Sequence, residues 1–162
     1  QERFRFERVA LRTFLQDACE ELEGDYPSMT IKLDESVPEI DVHADPTQLR
    51  RVITNLIDNA HKHSGNDSAD VNIKVEKMAN AAIVKIRDTG PGIPNDDLQR
   101  VFESFYRGDT SRSSRTEGSG LGLSIARQIM TAHGGSISCR NVDRGFEIVL
   151  ELRLAIEEDS HR

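Results

Sequence analysis

Two asparagines, Asn55 and Asn59, lie four residues apart in an otherwise apolar stretch and are followed by Lys62 and His63. An interval of four residues puts both amides on the same side of an α-helix. Mg²⁺ prefers oxygen ligands and often takes only one or two protein oxygens beside substrate phosphates. The spacing is therefore typical of a site for a magnesium-bound nucleotide, although ordinary surface asparagines would give the same pattern.

A carboxylate ends an alternating segment further along the chain. Val84, Ile86 and Asp88 point to the same side of a predicted strand, because side chains alternate with a period of two. A partly buried carboxylate is costly unless it accepts hydrogen bonds, and the exocyclic amine of adenine is a suitable donor. Asp88 is thus a candidate for base recognition. The alternative is an aspartate that only caps the turn before Gly90.

Two glycine-rich segments follow Asp88. The first contains Gly90, Gly92 and Ile93, and its backbone could approach a flat base closely because glycine has no Cβ. The second leads directly into a predicted helix, whose N-terminal amides can bind phosphate; its residues are Gly118, Gly120, Leu121, Gly122 and Leu123. Either segment alone is also typical of an ordinary turn.

An aromatic segment, residues 102–106, lies between the two glycine-rich segments. Phe102 and its aromatic neighbours are best explained by core packing. Arg107 has no such packing role, since it borders residues 107–120, which hold almost nothing apolar. We expect that run to be a mobile loop.

The elements that must position these residues follow from local patterns. Apolar spacing predicts a helix over 9–23 and another near 125–130, closed by His133, Gly134 and Gly135. Asp45 and Pro46 are typical of a helix start, and that helix should extend to about Ser64. Alternation predicts strands, whereas residues 37–44 should be irregular; the predicted strands are 30–33, 71–76, 82–88, 136–140 and 146–152.

This order of elements predicts an α+β fold. We expect a two-layer α/β sandwich, in which a mixed, mostly antiparallel sheet of about five strands is covered on one face by about three helices. The polar run at 108–119 would form a flexible lid over a bound nucleotide. On the helix that begins at Pro46, six apolar residues form one stripe, and Asn59 and Asn55 lie roughly 80° and roughly 120° from its centre. Both asparagines should therefore line the edge of the helix and not the core.

Composition narrows the class of protein. The chain has 162 residues, a net charge of −7 and 36% hydrophobic residues, as expected for one globular domain, here residues 1–156 with a disordered tail at 157–162. No apolar run approaches the roughly 18 residues that a bilayer-spanning helix needs. The absence of a basic cluster argues against a surface for nucleic acid.

Taken together, the order and spacing of the motifs resemble the catalytic, ATP-binding domain of a two-component sensor histidine kinase, in the superfamily shared with gyrase, the large heat-shock chaperone and mismatch-repair ATPases. Residues 55–60 correspond to the asparagine box of that family and residues 88–92 to its first glycine box. Residues 102–105 correspond to its phenylalanine box and residues 118–123 to its second glycine box.

The resemblance implies roles for individual residues. Asn59 would ligate Mg²⁺ with help from Asn55, and Asp88 would recognise adenine. Lys62 and Arg107 would hold phosphates. His63 would lie against the nucleotide, where the family often has an aromatic ring.

The resemblance also implies a reaction and partners. The γ-phosphate of ATP would pass to a histidine on a separate dimeric helical domain and then to an aspartate of a response regulator. In the family's acceptor motif an acidic residue directly follows the histidine, and none of the five histidines here meets that pattern. The domain would work in the cytoplasm, as a part of an inner-membrane sensor.

Two other functions fit parts of the pattern. ATP-hydrolysing clamps of the same superfamily typically carry glutamate at the first position of the asparagine box, where it activates water. Asn55 occupies that position, and an amide cannot serve as a general base near neutral pH. An interaction module without nucleotide binding is disfavoured because every box is intact.

Overall fold

A computed structural model describes residues 3–63, 70–90, 92, 95–98, 100–103 and 122–156. This part of the chain forms three α-helices, a short 3₁₀ turn at Asn95–Asp97 and seven strands. The helices are α1 (Leu11–Asp25), α2 (Pro46–His63) and α3 (Gly122–Ala132). The strands are β1 (Glu7–Ala10), β2 (Thr30–Leu33), β3 (Asp41–Ala44), β4 (Asp70–Lys77), β5 (Ala81–Asp88), β6 (Ser136–Val142) and β7 (Gly145–Arg153).

Five strands form one mixed sheet in the order β2-β4-β5-β7-β6. Only β2 and β4 are parallel, and the other neighbours in this sheet are antiparallel. Strand β5 lies at the centre, and its last residue, Asp88, is paired with Val71 on one side and Phe146 on the other. The predicted two-layer α+β fold with a mostly antiparallel sheet of five strands is confirmed.

The core lies between this sheet and the helices. Buried residues of α1, α2 and α3 and the buried rows of the five-stranded sheet belong to a single apolar cluster. On α2 the predicted stripe is buried, and it consists of Leu49, Val52, Ile53, Leu56, Ile57 and Ala60. Burial of this stripe determines which flank of α2 remains accessible.

Helix α2 begins as its sequence predicts. The carboxylate of Asp45 accepts hydrogen bonds from the backbone N–H groups of Gln48, at 3.1 Å, and of Arg5, at 2.8 Å. Pro46 occupies the first helical position, where a missing N–H costs nothing. Burial alone would raise the pKa of the Asp45 carboxyl, but the backbone donors outweigh burial and lower the pKa.

A buried histidine joins the start of α2 to the end of α3. Nε2 of His133 accepts the backbone N–H of Asp45 at 3.0 Å, and Nδ1 lies 2.8 Å from the carbonyl oxygen of Ile129. Since Nε2 is an acceptor, Nδ1 carries the proton and donates to that carbonyl. The sequence predicted only that His133 and the next two glycines close a helix. Helix α3 does end there, and Gly134 adopts a φ of +70°.

Two predictions about the first 44 residues are wrong. Val9 belongs to strand β1 and not to the first helix, and Asp41–Ala44 is a strand, where an irregular segment was expected. These strands pair antiparallel in a separate two-stranded sheet. The ion pair between Arg8 and Asp41, at 2.9 Å, spans the two strands. The sequence of β1 does not alternate, whereas that of β3 does, with Val42 and Ala44 buried, a signal that the expectation of an irregular segment overlooked.

The described helices also bear on the membrane question. None of them combines the length and the apolar content that a bilayer-spanning helix requires.

Candidate functional site

The flank of α2 carries the first group of candidate residues. Asn55 and Asn59 are half-buried between the apolar stripe and solvent, and Lys62 is the most exposed of the three. This agrees with the predicted position at the edge of the helix. The side chain of His63 lies outside the described residues.

The amide of Asn55 contacts the next helix of the site. Its Nδ2 donates a hydrogen bond to the carbonyl oxygen of Gly122, at 3.3 Å. Gly122 is the first residue of α3, so this bond connects the asparagine flank to the N-terminal end of the helix that follows the second glycine-rich segment. Because the amide nitrogen is the donor in this contact, the carbonyl oxygen of Asn55 remains available to accept or to ligate.

Lys62 does not project freely into solvent. Its Nζ lies 2.9 Å from Oδ2 of Asp58, one turn earlier on α2. The other carboxylate oxygen of Asp58 accepts a hydrogen bond from the hydroxyl of Tyr26, at 2.8 Å. The family resemblance implied that Lys62 contacts phosphate, and neither Asp58 nor Tyr26 was predicted to contribute. The spacing of four residues between Asp58 and Lys62 could have indicated their ion pair on the helix.

Asp88 is the second centre of the site. It is 8% exposed at the end of β5, and its Oδ1 accepts the backbone N–H of Gly90 at 2.8 Å. Burial raises the pKa of this carboxyl, and hydrogen bonds from the backbones of Gly90 and Phe146 partly oppose the increase. The turn-capping role suggested by the sequence is therefore present. It leaves further acceptor capacity on the carboxylate for a ligand.

The backbone of neighbouring segments packs closely around Asp88. A Cβ added to Gly145 would lie 1.9 Å from the carbonyl oxygen of Asp88, so only glycine fits there. Gly92 adopts a φ of +79°, and a Cβ on it would lie 2.5 Å from Oδ1 of Asn141. The sequence marked Gly92 as a candidate. Gly145, between the predicted strands 136–140 and 146–152, was not a candidate, because its contact depends on how β5 and β7 pair.

The remaining candidates divide into packed and undescribed residues. Phe102 is half-buried against the core, as expected for the aromatic segment, and Leu123 is buried in the core. Gly122 begins α3 and is exposed, as a helix start at a ligand site requires. Several predicted residues lie outside the described residues, and so do the predicted loop at 107–120 and the tail at 157–162; these residues are Ile93, Arg107, Gly118, Gly120 and Leu121.

Few side chains in the described part of the chain could ligate a metal ion. No group of three or more histidine, cysteine, aspartate or glutamate side chains lies close enough there to hold a metal ion. The amide oxygens of Asn55 and Asn59 are hard donors that suit Mg²⁺ if substrate phosphates and water complete its coordination. The residues thus fit a metal that arrives with its nucleotide.

A family profile matches most of this chain. The profile, described as "Histidine kinase-, DNA gyrase B-, and HSP90-like ATPase", covers residues 44–156, which include α2, Asp88 and α3. The chain belongs to this ATPase family. The resemblance inferred from the boxes is therefore confirmed.

Curated relatives are sensor kinases. The domain is 45% identical over 115 residues to the signal transduction histidine-protein kinase AfsQ2 of Streptomyces coelicolor, across 70% of this chain and 21% of that protein. It is 41% identical over 116 residues to the probable sensor protein PcoS of Escherichia coli, across 72% of this chain and 24% of that protein. The chain thus spans about a fifth to a quarter of the length of these relatives.

Solved structures show the same architecture. The mycobacterial sensor histidine kinase MprB superposes with a TM-score of 0.79 at 28% identity, and the match covers 91% of this chain and 98% of that one. The ATP-binding domain of PrrB from Mycobacterium tuberculosis superposes with a TM-score of 0.76 at 27% identity, covering 93% and 98%. Within the ATPase family, the domain is therefore of the histidine kinase catalytic type.

Proposed function

We propose that this domain binds Mg-ATP between the α2 flank and the end of β5 and donates the γ-phosphate to a histidine on a separate dimeric helical domain. From there the phosphate passes to a response-regulator aspartate. The observation that carries the proposal is the buried Asp88, a costly carboxylate kept at a strand end between glycines that permit close backbone approach. We place the domain on the cytoplasmic side of an inner-membrane sensor, because the curated relatives are sensor proteins.

The proposed roles follow the geometry and the family resemblance. Asp88 accepts a hydrogen bond from adenine, and the N-terminal end of α3 faces the phosphates. Asn59, helped by Asn55, holds the Mg²⁺ ion, which neutralises phosphate charge when bound. Lys62 and Arg107 contact phosphate oxygens. Phosphoryl transfer requires mainly this kind of positioning and charge neutralisation.

Transfer to an external histidine is favoured over hydrolysis. The first position of the asparagine box is Asn55, whose amide nitrogen donates to Gly122 and whose amide cannot take a proton from water. His133 is a poor internal acceptor, since it is buried and both ring nitrogens are hydrogen-bonded. A slow ATPase rate in the isolated domain is therefore expected.

The test combines binding with transfer. Calorimetry should detect Mg-dependent ATP binding, and labelled ATP should phosphorylate a separately supplied helical acceptor domain. Asn59→Ala should reduce transfer by about 100-fold or more, because it removes a preorganised contact to the developing charge. Asn72→Ala serves as a matched control, since Asn72 is an exposed asparagine on β4.

Two results would contradict this function. Absence of ATP binding in the presence of Mg²⁺ would remove nucleotide binding altogether. Rapid ATP hydrolysis without an acceptor domain would instead identify a hydrolysing clamp.

A further inference from the structure

Tyr26, Asp58 and Lys62 form a chain of polar contacts beside the asparagine flank. One oxygen of the Asp58 carboxylate accepts the Tyr26 hydroxyl at 2.8 Å, and the other lies 2.9 Å from the Lys62 ammonium. Tyr26 follows α1, 32 residues before Asp58. The carboxylate is therefore fixed on two sides, by its own helix and by the end of another.

The phenol keeps its proton under ordinary conditions. Burial raises the pKa of Tyr26 to about 12, and its hydrogen bond to Asp58 contributes in the same direction. A protonated hydroxyl donates steadily to Asp58, so the carboxylate remains an acceptor with one oxygen directed to Lys62.

The ion pair is next to the candidate magnesium ligands. Helical side chains lean toward the N-terminal end of their helix, and a residue and its neighbour four positions earlier lie on one face. Lys62 therefore leans back along α2 to Asp58, the residue directly before Asn59. With side-chain exposures of 35% for Lys62 and 37% for Asp58, the pair is open enough for a ligand to reach the ammonium.

The pairing also changes what a phosphate meets. A lysine ammonium alone presents one positive charge, whereas the ammonium beside Asp58 belongs to a pair with no net charge. The carboxylate and an incoming phosphate compete for the same donor group, and their negative charges repel each other.

We propose that Asp58 is a positioning residue that holds Lys62 beside the asparagines and reduces the positive charge that Lys62 offers to nucleotide phosphates. This inference rests on the proposed function, since it assumes that Lys62 contacts phosphate. It assigns a role in setting the affinity for the triphosphate to Asp58, which lies within the asparagine box, and to Tyr26, which lies outside the boxes. Because Asp58 weakens the attraction between Lys62 and phosphate, it also favours release of the diphosphate product.

The experiment compares ligands that differ in phosphate number. Calorimetry at low salt should measure the Kd values of Mg-ATP, Mg-ADP and adenosine for the wild type and for Asp58→Asn. Removing one unit charge at a few ångströms from phosphate, in a largely hydrated setting, changes affinity by roughly threefold to fivefold per interacting charge. We expect Asp58→Asn to tighten Mg-ATP by about that factor, Mg-ADP by less and adenosine not at all.

A matched control removes an equal charge from another ion pair of α2, one in which the acidic partner lies on α1. Glu21 forms an ion pair with Arg50 of α2 at 3.0 Å. Glu21→Gln therefore neutralises an acidic partner of α2 without touching Lys62, and it should leave all three Kd values unchanged. Thermal unfolding midpoints close to that of the wild type would show that both variants retain the fold.

Lys62→Met tests the proposed pathway of the effect. If Asp58 acts mainly through Lys62, Asp58→Asn should tighten Mg-ATP less in a Lys62→Met background than in the wild type, because only the direct repulsion between carboxylate and phosphate is then removed. Unchanged or weaker Mg-ATP binding by Asp58→Asn alone would overturn the inference, and so would a tightening of undiminished size without Lys62.

The outcomes distinguish a failure of this inference from a failure of the proposed function on which it rests. If the wild type binds Mg-ATP and Lys62→Met binds it equally well, the role of Lys62, and with it that of Asp58, is wrong while nucleotide binding stands. If the wild type binds no Mg-ATP, the proposed function itself fails and the inference fails with it.

Discussion

The end of β5 and the flank of α2 are held by different kinds of contact. At the end of β5, Asp88 is 8% exposed, accepts a backbone N–H and lies under Gly145. On the α2 flank, the contacts are made by side chains that are partly open to solvent. Lys62 and Asp58 form one such ion pair, and the hydrogen bond from Asn55 to Gly122 is long, at 3.3 Å.

This difference indicates that the end of β5 and the flank of α2 have different roles within the proposed site. Backbone contacts in a packed sheet cannot shift without disturbing the strands, so the β5 end can select a flat base by shape. Side-chain contacts near solvent can rearrange at small cost, so the α2 flank can adapt to a charged and changing phosphate group. Substitutions at the two ends should therefore differ in size and in kind.

The largest effect should come from Gly145→Ala. Its Cβ would lie 1.9 Å from the carbonyl oxygen of Asp88, so β5 and β7 must separate at the site. Overpacking of this kind should lower the free energy of unfolding by about 3 kcal/mol, as measured by urea denaturation. Calorimetry on the folded protein should show weakened Mg-ATP binding.

A matched control separates site damage from general destabilisation. In Gly135→Ala the new Cβ would lie 2.0 Å from the carbonyl oxygen of Glu151, an equally severe clash away from Asp88. It should destabilise the fold similarly and leave the Mg-ATP affinity of the folded protein intact. Equal loss of affinity in both variants would contradict a rigid recognition end.

Asp88→Asn should come next and should separate affinity from stability. Hydrogen bonds to charged groups contribute about 1.5–3 kcal/mol, so Mg-ATP affinity should fall by about 10- to 100-fold in calorimetry. The free energy of unfolding without nucleotide should increase at neutral pH, because burial raises the pKa of Asp88 and its ionised form opposes folding.

The pH dependence gives the sign of that effect. A folded pKa above the ordinary value of 3.8 means that the stability contributed by protonated Asp88 is complete below 3.8 and is lost as pH rises through the folded pKa. The stability advantage of Asp88→Asn over wild type should therefore grow with pH in urea titrations. An advantage that shrinks as pH rises would contradict the assignment.

Asp45→Ala, at the start of α2, should respond to pH in the opposite direction. Loss of an N-cap costs about 1 kcal/mol. Backbone donors lower the pKa of Asp45 below 3.8 despite burial, so its contribution is present above 3.8 and is lost as pH falls through the folded pKa. The difference from wild type, measured by urea denaturation, should shrink in acid. Asp45→Asn should retain most of the stability, because asparagine also caps helices well.

The smallest effect should come from Asn55→Ala on the α2 flank. It removes the 3.3 Å hydrogen bond to Gly122, and an exposed bond of this kind contributes about 0.5 kcal/mol to stability. Thermal unfolding should therefore change little beside the Asn72→Ala control. A loss of 2 kcal/mol or more would show that the flank is as rigid as the strand end, and the comparison would fail.

The sequence predicted the parts of the fold that local chemistry determines. Asp45 and Pro46 predicted the start of α2, and the period of its apolar residues placed Asn55 and Asn59 at the edge. The strands β4, β5, β6 and β7 were each predicted from alternating runs. The pairing of β1 with β3 was not, because β1 does not alternate and the pairing depends on contacts between distant segments.

The same distinction applies to the site. Asp88 was recognisable because it ends an apolar row, and Asp58 could have been recognised from its spacing to Lys62. The contact of Tyr26 with Asp58 and that of His133 with Asp45 join residues 32 and 88 positions apart, which no local pattern reveals. The need for glycine at position 145 follows from the pairing of Asp88 with Phe146.

The two-stranded sheet brings the ends of the described chain together. Ala155 donates its backbone N–H to the carbonyl oxygen of Asp41 at 2.9 Å, and Arg8 donates to the carbonyl oxygen of Ile156 at 2.7 Å. Residue 8 belongs to β1 and residue 156 follows β7, so these contacts connect the two-stranded sheet to the end of a strand of the five-stranded sheet. The same adjacency would allow the domain to be circularly permuted, with a short linker from residue 156 to residue 8.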